Sequence, residues 1–266
     1  MFKTRLISGI VLVALALLLI ITGGNVLLGA LCVISLIGMF ELYRIFKIEK
    51  EPAGVAGYIA AIVYYLNLLF GFIPDMMMFV LSVLVVLMFI YVFSYPKYKT
   101  EQMLAAFFAV FYVAVMLSFV YRTRMLPMGT YTVWLIFLCS WGCDTCAYCV
   151  GVLIGKHKMA PKLSPKKSIE GAVGGVVGAA LLAIIYGFVF KDAMGCTQTI
   201  WFMAGICAVG ALISMVGDLT ASAIKRNYEI KDYGKLIPGH GGILDRFDSV
   251  IFTAPIIFYL ALYFIK

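Results

Sequence analysis

Long runs of apolar residues recur along the whole chain and leave little room for any other kind of fold. Each run approaches the roughly 20 residues that a helix needs to cross about 30 Å of hydrocarbon. Of the 266 residues, 64% are hydrophobic and 13% are charged, whereas soluble domains average about 45–50% and about 25%. The predicted spans cover residues 6–22, 26–43, 54–73, 76–94, 103–121, 131–152, 171–190, 199–217 and 249–265. We therefore predict an all-α, polytopic membrane bundle of about nine transmembrane helices.

The basic residues divide unequally between the two sides of this predicted bundle. With nine spans, 17 of the 21 lysines and arginines fall on the side of the N-terminus. The other side holds Arg122, Arg124, Lys191 and Lys266. Because cytoplasmic loops carry the excess of basic residues, the N-terminus is predicted to be cytoplasmic. The net charge of +8 is then explained by topology and by attraction to anionic lipid, and no nucleic-acid partner is expected.

The first apolar run resembles a secretory signal peptide only in part. It follows Lys3 and Arg5, as the apolar core of a signal peptide would. However, the run is longer than such a core, and the TGGN that follows it lacks the usual small-residue cleavage pattern. We therefore expect this run to be retained as the first helix.

Two polar segments, residues 155–171 and 217–249, interrupt the apolar pattern. They hold 10 of the 17 basic residues assigned to the cytoplasmic side and both histidines of the chain. Asp144 precedes the first segment and lies about two turns inside its predicted span, where a charge costs at least about 2.5 kcal/mol. This position indicates a functional site in a bundle interior or wet cavity, and a structural ion pair is the alternative. Tyr148 and Gly151 follow at i+4 and i+7 and are expected to share the face of Asp144.

The second polar segment begins with a helical spacing of polar side chains. Asp218, Ser222 and Lys225 stand at i, i+4 and i+7, which predicts one face of a helix that continues beyond the eighth span. This face would carry a carboxylate, a hydroxyl group and an ammonium group. A solvated helix end is the alternative interpretation.

The same segment ends in a glycine-rich stretch directly before the last span. Pro238, Gly239, Gly241 and Gly242 exclude a regular helix, and glycines allow backbone N–H groups to approach an anion closely. Asp245 and Asp248 then stand at i and i+3 in the first turn of the next predicted helix. Capping of that helix is the alternative explanation, but it would need only one carboxylate.

Together these residues favour a metal-dependent membrane enzyme that handles phosphate groups. Carboxylate oxygens suit Mg²⁺, which commonly binds through one or two of them and through substrate phosphates. Lysine, arginine and backbone N–H groups suit phosphate oxygens. The sequence contains no P-loop, no protein-kinase signature and no HExxH motif.

The stretch SAIKRNYEIKDYGKLIPGHGGILDRFDS resembles the signature of phosphatidate cytidylyltransferases, also called CDP-diglyceride synthetases. The pattern of that family reads S-x-x-K-R, four residues, K-D, and then a stretch that ends in H-G-G-x-x-D-R-x-D. The matching residues are Ser222, Lys225, Arg226, Lys231, Asp232, His240, Gly241, Gly242, Asp245, Arg246 and Asp248. The D-x-x-A-Y motif around Asp144 matches in part, with Tyr148 at its end, and the loop GKHKMAPKLSPKKSIEG is also similar to the family.

The resemblance implies a reaction in which CTP and phosphatidic acid give CDP-diacylglycerol and pyrophosphate, with Mg²⁺ and room for a second cation. The residues assigned on this basis to metal binding are Asp144, Asp218, Asp245 and Asp248. Those assigned to catalysis are Asp144, Lys225, Arg226, Asp245 and Asp248. Those assigned to substrate binding are Ser164, Lys166, Lys167, Ser222, Lys231, His240, Gly241, Gly242 and Arg246. For His240 we keep a second role open, as a hydrogen-bond donor that shapes the glycine turn.

The resemblance also implies an organisation for the chain. Residues 1–130 are expected to serve packing, dimerisation or lipid access, and residues 131–266 to form the catalytic region, with no separate soluble domain. A homodimer in a bacterial inner membrane, with the active site facing the cytoplasm, agrees with this expectation.

Three alternatives compete with a cytidylyltransferase. An anion transporter would spread polar residues over several spans and show a two-half repeat, neither of which is evident. A CDP-alcohol phosphotransferase would carry a D-G-x-x-A-R motif, which this sequence lacks. A CTP-dependent lipid kinase is closer, but it is not expected to match the H-G-G-x-x-D-R-x-D stretch.

Overall fold

The structure, a computed structural model, describes residues 2–194, 198–239 and 241–265 and consists of helices joined by short connections. Within these residues the helices are α1 (Phe2–Thr22), α2 (Gly24–Phe46), α3 (Pro52–Phe70), α4 (Met76–Phe93), α5 (Thr100–Arg124), α6 (Gly129–Ile154), α7 (Ile169–Met194), α8 (Gln198–Asn227) and α9 (Leu244–Phe264). The strands are β1 (Lys158–Ala160) and β2 (Ser164–Ser168), which pair antiparallel as a hairpin between α6 and α7.

The predicted helical membrane fold is confirmed. Among the described residues, eight helices, α2 to α9, are long and apolar enough to cross a membrane. The first predicted span is the helix α1, whose apolar part, Ser8–Thr22, is shorter than the other eight. The eighth span continues past its predicted end at residue 217 to Asn227, and the last helix begins at Leu244 rather than at residue 249. The predicted orientation of the N-terminus stays a prediction.

Helix α4 shows most clearly why these helices suit a lipid environment. Only 17% of its apolar window is buried inside the protein, and large side chains such as Leu81, Val85 and Phe89 are exposed. In water, a surface of this kind would be an association site. In lipid it costs nothing, because the helix satisfies its own backbone hydrogen bonds and presents apolar side chains to the acyl chains.

The chain divides into two compact units, of which unit 1 comprises Met1–Ser118 and Asp232–Asp245. Buried tyrosines join its helices through hydrogen bonds. The Tyr43 hydroxyl donates to the carbonyl oxygen of Ala106 at 2.8 Å, and the Tyr65 and Ser35 hydroxyls lie 2.8 Å apart. Because a buried hydroxyl without a partner is costly, these pairs fix α2 against α3 and α5.

Unit 2 comprises Phe119–Lys231 and Arg246–Lys266, and small residues bring its helices close together. The buried residues of α7 include Gly171, Gly175, Ala179, Ala183 and Gly187. A Cβ atom at Gly175 would stand 2.9 Å from Cys143 Sγ and 3.0 Å from the Ala147 Cβ on α6. Small residues at such positions let helices in a membrane pack at short distance.

The hairpin that follows α6 is fixed at its base by an acidic residue. The Glu170 carboxylate, in the first turn of α7, accepts hydrogen bonds from the backbone N–H groups of Lys156 at 3.1 Å and His157 at 3.2 Å. The His157 ring also contacts Glu170, with Nδ1 2.6 Å from Oε1. The predicted loop 155–171 therefore contains a hairpin that carries Lys158 on β1 and Lys166 and Lys167 on β2.

Candidate active site

Three of the predicted aspartates come together in unit 2 from three different helices. Asp144 lies on α6, Asp218 on α8 and Asp248 on α9. The negative charge of Asp218 acts on both Asp144 and Asp248, so the three carboxylates lie within electrostatic range of one another. Asp248 is buried, with 7% of its surface exposed. Their convergence agrees with the prediction that these residues form one site.

Ser249 also belongs to this site, although the sequence analysis did not single it out. Its hydroxyl donates to Asp144 Oδ2 at 3.5 Å, and its backbone N–H donates to Asp248 Oδ1 at 2.7 Å. It therefore contacts two of the three carboxylates. The only signal in the sequence was its place next to Asp248, since serine is common at helix starts for capping alone.

A π-helical segment, Leu138–Gly142, directly precedes Asp144 in α6. Such segments insert an extra residue into a helical turn and change the face on which the following residues lie. The Trp141 Nε1–H donates to the Arg246 carbonyl oxygen at 3.3 Å, which ties this segment to the start of α9. Tyr148, expected to share the face of Asp144, follows it at i+4 in the same α-helical stretch, Cys143–Ile154, and is 73% exposed.

Three cations accompany the three carboxylates. The ammonium group of Lys167, on β2, forms an ion pair with Asp218 Oδ2, and both side chains are about three-quarters buried, at 25% exposure. The charge of Lys225 acts on Asp248, and that of Arg246 acts on Asp144. The formal charges of these six groups cancel. Buried ions need such compensation, because each loses its hydration.

The hairpin is joined to α8 at the residues that carry the cations. Arg226 Nε–H donates to the carbonyl oxygen of Leu163 at 3.3 Å. This contact holds the β1–β2 connection beside the end of α8, and the next strand brings Lys167 to Asp218. The hairpin therefore brings a lysine to the carboxylates.

The remaining predicted substrate ligands are placed as follows. Ser164 lies at the start of β2 and pairs with Ala160, and Lys166 is exposed on the same strand. Ser222 is partly buried on α8, as the predicted helical face requires, and Lys231 is exposed beyond the end of that helix. His240 lies outside the described residues. Their roles in substrate binding stay predictions.

In unit 1, the glycine-rich turn is bound by carboxylates of the protein itself. Asp245 Oδ2 accepts hydrogen bonds from the backbone N–H groups of Tyr233 at 2.8 Å and Gly242 at 2.9 Å. Glu41, on α2, accepts from Ile243 at 3.1 Å and from Leu244 at 2.9 Å. The amide of Gly242, predicted to bind phosphate, thus already has a partner. Binding of phosphate by Gly241 and Gly242, and of metal by Asp245, stay predictions.

The glycines shape this turn as the sequence predicted. Gly239 and Gly241 have positive φ angles, of 79° and 85°, a conformation that residues with a Cβ rarely adopt. The described residues between Asn227 and Leu244, which are 228–239 and 241–243, are not helical. The predicted interruption of the helical pattern is therefore confirmed.

Binding of magnesium by the aspartates of unit 2 stays a prediction. No group of three or more His, Cys, Asp or Glu side chains placed to hold one ion is present in the described part of the chain. Zinc sites usually need such a group. Mg²⁺ instead takes one or two carboxylates, with water and substrate phosphates as its other ligands. Asp144, Asp218 and Asp248 are the carboxylates predicted for this role.

Comparison with known proteins agrees with this chemistry. The model of a family described as "Cytidylyltransferase family" matches residues 3–264. A phosphatidate cytidylyltransferase of Staphylococcus aureus is 34% identical over 263 residues, which is 96% of this chain and 97% of that protein. Relatives with the same name from Staphylococcus epidermidis and Staphylococcus haemolyticus are 33% and 32% identical, each over 96% of this chain and 97% of their own length. This chain belongs to the cytidylyltransferase family.

Proposed function

We propose that this protein transfers the cytidylyl group of CTP to phosphatidic acid, which yields CDP-diacylglycerol for phospholipid synthesis, and pyrophosphate. The observation that carries the proposal is the cluster of Asp144, Asp218 and Asp248 with Lys167 in unit 2 of a cytidylyltransferase-family chain. The relatives named phosphatidate cytidylyltransferases match nearly the whole chain, which supports the lipid substrate.

The chemistry asks for charge and alignment more than for a strong base. A phosphate oxygen of phosphatidic acid, already anionic at neutral pH, attacks the α-phosphorus of CTP and forms a new P–O bond. The bond from that phosphorus to the bridging oxygen of the β-phosphate breaks, and pyrophosphate leaves with the electron pair. The protein has to align two polyanions and to neutralise the charge that develops on the leaving group.

The charge balance of the site supports a role for magnesium. Lys167, Lys225 and Arg246 offset the three aspartates, and a bound triphosphate would add further negative charge. Magnesium held by two of these carboxylates would supply positive charge against the triphosphate and would polarise its oxygens.

We assign the basic side chains around the carboxylates to the phosphates. Lys225 and Arg226 lie at the end of α8, and Arg226 already contacts the hairpin. Lys166 is exposed on β2, so its side chain is accessible to a substrate that comes from the aqueous phase. Ser164, Ser222, Lys231 and His240 complete the proposed set, and Lys167 orients Asp218 through their ion pair.

The reaction can be tested with the purified chain in detergent, given phosphatidic acid, Mg²⁺ and CTP labelled at either the α- or the γ-phosphate. We expect the α-label in the lipid and the γ-label in pyrophosphate, with turnover stopped by a chelator and restored by Mg²⁺. Transfer of the γ-label to lipid would identify a lipid kinase instead. Absence of any labelled lipid from folded protein would contradict the proposal.

We further propose that the active face is cytoplasmic and that the protein resides in a bacterial inner membrane, as the distribution of basic residues and the bacterial relatives suggest. The homodimer and the functional division near residue 130 stay predictions.

The orientation predicts which side of the membrane each connection faces. In intact spheroplasts, an impermeant maleimide should label Met125→Cys, between α5 and α6, and should label Lys162→Cys, in the hairpin, only after permeabilisation. Both native residues are exposed, and the native chain, with its exposed Cys149, provides the background. Labelling of Lys162→Cys in intact spheroplasts would show that the orientation is the opposite of the one proposed.

A further inference from the structure

We propose that Glu41 is a positioning residue for the cytidylyl transfer. Its carboxylate holds the backbone that joins the glycine-rich turn to helix α9, and thereby fixes the setting of Asp245. This inference rests on the proposed function only for its effect on turnover, because the contacts that carry it are independent of any substrate.

Glu41 binds two consecutive amides at the start of α9. Oε1 accepts from Ile243 at 3.1 Å and Oε2 accepts from Leu244 at 2.9 Å. Glu41 is 4% exposed, on a helix that otherwise crosses the membrane. An acidic side chain at such a place is expensive, so its two hydrogen bonds indicate a specific purpose.

Two glycines leave the space that this carboxylate occupies. A Cβ atom at Gly234 or at Gly242 would meet the Glu41 carboxylate at a distance that real Cβ atoms do not reach. Gly242 has no positive φ angle, so its backbone does not itself require glycine. The second glycine of the H-G-G pattern is therefore explained by room for Glu41.

Arg44 extends the same contact to the other end of the turn. Its Nη2 donates to the carbonyl oxygen of Tyr233 at 2.5 Å, while the N–H of Tyr233 donates to Asp245. Glu41 and Arg44 lie one helical turn apart, on one face of α2. Helix α2 therefore holds both ends of the segment 233–244 within unit 1.

The charge of Glu41 suits the place where it binds. The first N–H groups of a helix have no partner within the helix and carry a partial positive charge, so an anion there is stabilised. A carboxylate offers two acceptor oxygens to two neighbouring amides. Glutamine in its place would present an NH₂ group to one of these donors and would lose that bond.

The consequence reaches Asp245 through the backbone. Gly242 donates to Asp245 Oδ2, and Glu41 holds the next two residues. Loss of the hydrogen bonds to Ile243 and Leu244 would allow the backbone next to Gly242 to move. The Gly242 amide, which binds Asp245, would then no longer be held in place. Glu41 itself needs no contact with substrate for this role.

The test is Glu41→Gln in the full-length purified protein, with Glu101→Gln, an exposed residue of α5 in the same unit, as the matched control. We expect kcat to fall at least about tenfold while KM for CTP changes less than about threefold, since the loss concerns alignment and not affinity. In the absence of substrate, amide hydrogen exchange in residues 241–245 should accelerate at least about tenfold, and the rest of the protein should keep its protection.

Each failure can be recognised separately. Native exchange in residues 241–245 of Glu41→Gln, or turnover equal to that of Glu101→Gln, would overturn the role of Glu41. If exchange accelerates in Glu41→Gln but the native protein makes no CDP-lipid, the structural role of Glu41 would stand and the proposed function would be rejected. If Glu41→Gln fails to fold, Gly242→Ala, whose methyl group would meet the same carboxylate, offers the same exchange test at Ile243 and Leu244, and native exchange there overturns the inference.

Discussion

Asp248→Asn will lower kcat for cytidylyl transfer by at least about a hundredfold, a loss of the size seen when charge stabilisation is removed from a transition state. Asparagine keeps the shape of the side chain and the acceptor that receives the Ser249 amide. It removes one of the negative charges that are proposed to hold magnesium. The fold should therefore persist while the chemistry is lost.

The measurement combines turnover with metal binding. Mn²⁺ binding, followed by electron paramagnetic resonance, should weaken in Asp248→Asn even without CTP. Asp192→Asn, an exposed aspartate of α7 in the same unit, is the matched control and should bind Mn²⁺ and turn over like the native protein. Turnover of Asp248→Asn within about threefold of native would remove this residue from the site.

Gly242→Ala will also lower activity strongly, with an expected loss of at least about thirtyfold. The new methyl group would displace the Glu41 carboxylate, which would break two charge-assisted hydrogen bonds that each contribute about 1.5–3 kcal/mol. Alanine can adopt the backbone conformation at this position, so the loss would come from the displaced carboxylate. Activity and thermal unfolding of the same preparation measure the effect.

The control for this substitution is Gly29→Ala in α2, where a Cβ atom would meet nothing within 4 Å. Its activity should be native, with stability equal or slightly higher, because alanine favours a helix over glycine by about 1 kcal/mol at most. In a Glu41→Gln background, Gly242→Ala should cost much less than in the native protein, since the two changes break the same contact. Full additivity would show that Gly242 acts independently of Glu41.

The helices were predictable because their signal is local. A span is an uninterrupted run of apolar residues, and every predicted run corresponds to a helix in the described chain. The polar face of Asp218, Ser222 and Lys225 was also correctly predicted as a continuation of a helix to Asn227, because the i, i+4, i+7 spacing lies within one element. The ends were less certain, as shown by the last helix, which starts at Leu244.

The surroundings of individual side chains were less predictable. Tyr148 follows Asp144 at helical spacing but is exposed, because spacing fixes the face of a helix and not what that face meets. The π-helical segment before Asp144 has the same apolar residues as the α-helix around it and leaves no mark in the sequence. The carboxylate that binds the glycine turn comes from Glu41, about 200 positions away along the chain.

The sequence by itself determined that this is a helical membrane protein of the cytidylyltransferase family. It also predicts which aspartates and lysines take part in the chemistry. The lengths of the apolar runs and the spacing of the motifs are local properties of the sequence, so they can be recognised without a structure. Only the tertiary structure decided that Lys167 pairs with Asp218 and that Glu41 and Asp245 hold the amides of the glycine turn. These partners are distant in sequence, and their contacts arise only when the helices pack and buried charges have to find compensation.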